Sequence, residues 1–78
     1  MPLSTDLGAP APHTGARARR IMIVAGEASG DLHGADLARE ILALDPRCDL
    51  FGIAGEQMRA AGVRALITME EIHGLGLL

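Results

Sequence analysis

Ile21-Met22-Ile23-Val24-Ala25-Gly26-Glu27-Ala28-Ser29-Gly30-Asp31 is the stretch that decides the fold. Its first five residues are an unbroken apolar run with no polar alternation. Such a run predicts a strand buried on both faces, as in a parallel sheet. The glycine-bearing segment 26–31 predicts the turn into a helix, with Ser29 or Asp31 as N-cap. Residues 32–44 follow with helical spacing: Leu37, Ile41 and Leu44 share a face with Gly34 and Ala38, and Asp36, Arg39 and Glu40 populate the other. Asp45-Pro46 ends the helix, because proline disfavours helical backbone in the residue before it.

Downstream the pattern repeats. Asp49–Ala54 is a second, mostly apolar strand, Gly55 turns the chain, and residues 56–61 form a short helix with Gly62 as its C-terminal cap. Residues 63–67 read as a third strand. Thr68 is placed to cap a further helix, with Glu70 and Glu71 near its positive end. Strand–helix–strand–helix–strand predicts an α/β fold with a parallel sheet. Right-handed crossovers running in one direction put both helices on one side of it. Parallel sheets are normally covered on both faces, so the second layer is expected from more of the same polypeptide, and the chain reads as a fragment.

Upstream, residues 1–20 hold three of the four prolines and no bulky apolar run. They read as a flexible tail, unable to bury enough surface to offset their ordering entropy. The remaining chain of about 60 residues buries only about 60% of its unfolded surface and is marginally stable alone. The formal charge is −3, and the only basic cluster, Arg17, Arg19 and Arg20, ends the tail. With one phenylalanine and no tyrosine or tryptophan, the chain offers no base-stacking platform, and nucleic acid is not an expected partner. The apolar run after Arg20 is too short for the about 7–15 residues of a signal peptide or for a membrane span, so a cytoplasmic protein is expected. Cys48, the single cysteine, has no internal partner and reads as a bystander in a reducing compartment. There is no lysine, which rules out within these residues both the phosphate-binding lysine of nucleotide triphosphatases and a pyridoxal Schiff base.

Ligands of open α/β sheets bind beyond the carboxyl ends of the strands, where segment 26–31 falls. Gly26 and Gly30 let backbone approach a ligand, and amides near Ser29 lie at a positive helix end, an anion site in outline. A tight turn in which Asp31 only complements the helix dipole explains the segment equally well. Glu27 and Asp31 would repel phosphate, so they are better suited to accept from sugar hydroxyls or from an arginine elsewhere. The spacing Gly26-x-x-x-Gly30-x-x-x-Gly34 fits the dinucleotide fingerprint poorly, and Glu56 reads as a first-turn helix acid. His33 and His73 read as ordinary side chains; His33 with Asp36 is too few ligands for a metal site, and none is expected.

Three blocks in order carry a resemblance. Residues 24–32, Val-Ala-Gly-Glu-Ala-Ser-Gly-Asp-Leu, resemble the opening Gly-Glu-x-Ser-Gly-Asp signature of the lipid-A-disaccharide synthase family. Residues 51–58, Phe-Gly-Ile-Ala-Gly-Glu-Gln-Met, resemble its Phe-x-Gly-Ile-Gly-Gly-Pro-x-Met, with Ala54 and Glu56 as departures and one residue fewer before the isoleucine. Met69-Glu70-Glu71-Ile72 followed by Gly74 is similar to its Met-Glu-Glu-Leu stretch and glycine. The resemblance covers residues 21–78. It implies the incomplete first part of the N-terminal Rossmann-like domain of a GT-B-type glycosyltransferase, whose two halves enclose the active site. It further implies transfer of a 2,3-diacylglucosamine unit from its UDP derivative to 2,3-diacylglucosamine 1-phosphate, with release of UDP and no cofactor.

On that resemblance, donor-binding residues lie mainly in the C-terminal half and the general base lies beyond Leu78, so no catalytic residue is expected within 1–78. Substrate contacts are expected at Gly26, Glu27, Ser29, Gly30 and Asp31. The partners implied are acylated glucosamines and the cytoplasmic face of the inner membrane, held peripherally, with Ile72, Leu75, Leu77 and Leu78 as candidate contacts to acyl chains. Two other readings compete: a non-catalytic nucleotide- or phosphate-binding α/β module, and a small interaction protein that dimerises through a bare sheet face.

Overall fold

A computed structural model describes residues 19–75; most of the expected tail, and Leu77 and Leu78, lie outside the described residues. The elements run β1 (Arg20–Val24), α1 (Ala28–Leu44), β2 (Asp49–Ala54), α2 (Glu56–Ala60), β3 (Arg64–Thr68) and α3 (Met69–Gly74). The three strands form one parallel sheet in the order β1-β2-β3. The architecture is the parallel α/β arrangement expected from the sequence.

Alternation along the strands sorts side chains between two different environments. Leu50 and Ala54 of β2 point into a core shared with Ala35 and Ala38 of α1, Met58 of α2, Val63 and Met69. Both helices therefore cover the same face. On the other face Met22 and Val24 remain 61% and 60% exposed and Leu66 59%. That is the uncovered face that two right-handed crossovers in one direction produce.

The core is made largely of small residues, which sets how closely the layers approach. Gly34 and Met58 mark the closest point: a Cβ on Gly34 would lie 2.7 Å from the Met58 sulfur. Here the structure corrects the expected helix face. The buried stripe of α1 is Asp31, Gly34, Ala35 and Ala38, continued by half-buried Ile41 and Leu42, while Leu37 and Leu44 are exposed. Bulk does not mark the packed face here, because a narrow gap between α1 and α2 admits small side chains and turns Leu37 and Leu44 outward.

In the central strand, Gly52 has φ +149°, and a Cβ there would collide with the Ile23 carbonyl. Just past it the pairing with β3 slips by one residue, from Gly52 opposite Ala65 to Ile53 opposite Ile67. Leu66 is the extra residue of this bulge, a feature that re-aims the strand end.

Candidate functional site

The candidate site lies where β1 ends. Ala25 still donates its amide to the Ile53 carbonyl at 2.9 Å, then Gly26 and Glu27 leave the sheet. The helix begins earlier than the cap residues predict. Glu27 occupies the N-cap position in extended conformation and its side chain makes no capping bond. The loop thus shrinks to Ala25, Gly26 and Glu27, and Ser29 and Asp31 lie inside the first turn. The helix starts where the strand releases the chain, and the capping propensity of Ser29 and Asp31 does not decide it. Ala28, Ser29 and Gly30 are left with first-turn amides that no helical carbonyl accepts and no Glu27 side chain satisfies, at the positive end of a 17-residue helix.

Asp31 turns inward. It is 5% exposed, and its carboxylate accepts from the amides of Gly55 at 3.0 Å, Gln57 at 2.9 Å and Met58 at 2.9 Å. Those three amides open α2, whose own N-cap, Gly55, has no side chain to offer. Asp31 is a cap lent by one helix to another. A Cβ on Gly55 would come within 2.5 Å of its Oδ2, so the glycine makes room for the carboxylate. Of the five residues expected to contact substrate, Gly26, Glu27 and Ser29 are exposed at one place and Gly30 is half-buried beside them. Asp31 is committed to α2 instead of facing out to a sugar hydroxyl, because three amide donors hold it there.

Arg59, unremarked in the sequence, and His73, expected there to be an ordinary side chain, complete this end of the sheet. Arg59 of α2 donates Nη1 to the Ala54 carbonyl at 3.0 Å and forks onto Glu70 of α3 at 3.0 and 3.2 Å. That hydrogen-bonded pairing with Arg59 is the main reason the Glu70 carboxyl is lowered to about 2. His73, also on α3, places Nε2 2.9 Å from the Gly26 carbonyl. A separation of 47 residues gave no local signal for that contact. α3 itself is well announced: Thr68 and Glu71 close a capping box, the amide of Glu71 donating to the Thr68 hydroxyl at 3.1 Å and that of Thr68 to the Glu71 carboxylate at 2.8 Å.

Cys48 is buried, and burial together with nearby Asp45 and Asp49 pushes its thiol pKa up. It is protonated at neutral pH and a poor nucleophile. Among the described residues no group of three or more His, Cys, Asp or Glu could hold a metal ion. Nor is any described helix long and apolar enough to cross a membrane. Of the four candidate acyl contacts, Ile72 is half-buried and Leu75 is 71% exposed.

A parallel α/β unit with an exposed loop and a long helix opening at its strand ends defines a Rossmann-like module. The sequence profile described as lipid-A-disaccharide synthetase matches residues 21–78. The chain belongs to that family. The lipid-A-disaccharide synthase of Geobacter sulfurreducens is 60% identical over 58 residues, which are 74% of this chain and 15% of that protein. Its counterpart in Geobacter metallireducens is 56% identical over 59 residues, 76% of this chain and 15% of the relative. The synthase of Aeromonas hydrophila is 52% identical over 58 residues, again 74% and 15%. The chain thus spans about 15% of the length of these relatives.

Proposed function

We propose that these residues form the opening of the N-terminal half of a GT-B-type glycosyltransferase acting in lipid A biosynthesis. The reaction is transfer of 2,3-diacylglucosamine from its UDP derivative to 2,3-diacylglucosamine 1-phosphate, with release of UDP. Family membership and the names of the relatives support this reading. The observation that carries the local role is the start of α1, where amides of Ala28, Ser29 and Gly30 have no helical acceptor beside the exposed loop of Gly26 and Glu27. Such an end attracts phosphate or a polarised sugar oxygen, and the Ser29 hydroxyl adds a donor. Glu27, exposed and capping nothing, suits a sugar hydroxyl as acceptor. No cofactor is needed, since the leaving UDP drives the transfer. By themselves the 78 residues are expected to transfer no sugar, because the resemblance puts the general base and the donor-holding half outside them. Acylated substrates place the working protein in the cytoplasm at the inner membrane surface, held peripherally, and Ile72 and Leu75 with the undescribed Leu77 and Leu78 are its proposed acyl contacts.

Gly30 supplies the test. A Cβ there would meet only Ala25, with the Cβ atoms 3.6 Å apart, an ordinary contact. Gly30→Ala should therefore fold as well as the parent, or gain up to about 1 kcal/mol from helix propensity. If the backbone meets a ligand there, the same methyl obstructs it. In a protein carrying the full length of the relatives, Gly30→Ala and Ser29→Ala should each lower UDP release at least about tenfold, with melting temperature kept. Wild-type turnover in both would reduce the loop to a turn.

A further inference from the structure

His73 and Gly26 are both exposed, so their hydrogen bond is not required to satisfy a buried group. What the contact does is fix a direction. A carbonyl only accepts, so the imidazole donates, and Nε2 carries the hydrogen. The peptide between Gly26 and Glu27 is planar and trans, which puts its C=O and N–H on opposite sides. Tying the carbonyl to α3 turns the Glu27 amide away from α3. Gly26 is the residue at which this peptide would otherwise rotate most freely, and among the described residues no backbone amide bonds its carbonyl. The tethered peptide directly precedes the unpaired amides of α1.

We infer that His73 is a positioning residue for segment 26–30, the loop end and first turn of α1: it clamps the Gly26–Glu27 peptide in one orientation and so presets the amides that meet a phosphate-bearing ligand. The inference rests on the loop reading proposed above for its consequence, though not for the clamp itself. It assigns to α3 a part in binding that neither the helix's length nor its sequence announces. Because the donor is a side chain on a six-residue helix hung from β3, movement of α3 would reach the loop directly.

The test uses His73→Phe, which keeps a flat ring without the donor, and His73→Gln, which returns an N–H of similar reach. Both go into a protein of the relatives' full length, labelled with ¹⁵N at histidine, glycine and glutamate. In the parent, the His73 imidazole should show the proton on Nε2. The Glu27 amide should shift in His73→Phe and move back toward its parental position in His73→Gln. With UDP-sugar as the varied substrate, His73→Phe should raise KM roughly five- to tenfold, the factor a single hydrogen bond supplies. The turnover number should stay within about twofold, His73→Gln should recover most of the loss, and all three proteins should melt alike. A proton on Nδ1 alone, an unmoved Glu27 amide, or an unchanged KM in His73→Phe overturns the inference, as does a KM loss that follows a lower melting temperature or resists glutamine. Failure of the loop reading looks different: adding UDP would leave the parental amides of Gly26, Glu27 and Gly30 unshifted while the Glu27 response to His73→Phe persisted.

Discussion

Three amides of one helix converge on a carboxylate of another at Asp31, and its removal has a calculable effect. Asp31→Ala would leave the donors of Gly55, Gln57 and Met58 without their acceptor in a site 5% exposed. A buried donor without a partner costs about 1–3 kcal/mol, and with partial rescue by water the total should reach about 2–4 kcal/mol. Chemical denaturation of Asp31→Ala and Asp31→Asn checks this. Asparagine keeps one oxygen but swings an amide group toward other donors, so it should fall between. If Asp31→Ala unfolds at the parental midpoint, the lent cap is not holding α2. The residue also shows what a sequence hides. Its type and its place near a strand end suited substrate binding, dipole compensation and capping alike. Only α2, folded 24 to 27 residues later against it, chooses among them. Gly55 carried half of that signal, since a glycine where α2 needs a cap asks for an acceptor from elsewhere.

At the scale of elements, patterns within one segment were legible and patterns between segments were not. The apolar runs of β1 and β2, the Pro46 stop and the Thr68 cap all act through near neighbours, and each gave its element to within a few residues. The start of α1 depends on where β1 releases the chain and its packed face on how close α2 comes, and neither is written within the helix's own segment. The Arg59–Glu70 fork, which joins α2 to α3 across 11 residues, is of the same non-local kind. Its effect on pH dependence has a definite sign. Glu70 is lowered by its hydrogen bonds with Arg59 to about 2 in the folded chain, against an ordinary value near 4.5. A depressed carboxylate stabilises the fold fully above its unfolded pKa, and that contribution disappears as pH falls from about 4.5 through 2. Glu70 is largely solvated and Arg59 partly so, and salt should weaken the pairing. A ¹³C titration of the Glu70 carboxyl should find its midpoint near 2, returning to the ordinary range in Arg59→Gln. A midpoint near 4.5 in the parent would mean that α2 and α3 are not joined by this pair in solution.

For the whole molecule the decisive feature is asymmetry. One sheet face is packed by α1 and α2, whereas the other presents Met22, Val24 and Leu66, with Ile67 at its rim 42% exposed. Arg20 and Arg64 stand at the far end of that face, each over the Phe51 ring and each paired with Asp49, at 3.6 and 2.9 Å. The polar end keeps this surface soluble locally, but the apolar end resembles an interior more than a surface, and exposed apolar patches drive association. The purified 78-residue chain should therefore self-associate, its weight-average sedimentation coefficient rising with concentration. Met22→Thr together with Val24→Thr keeps strand propensity while removing apolar area, and should shift that rise to at least about tenfold higher concentration. In a protein of the relatives' full length, where further polypeptide is expected to pack on this face, the same pair should lower the melting temperature instead, because buried area is then lost. The opposite signs in the two settings identify the face as an interior surface. A chain that sediments as a monomer at all concentrations and melts cooperatively would show that three strands with one covered face are sufficient without a second layer.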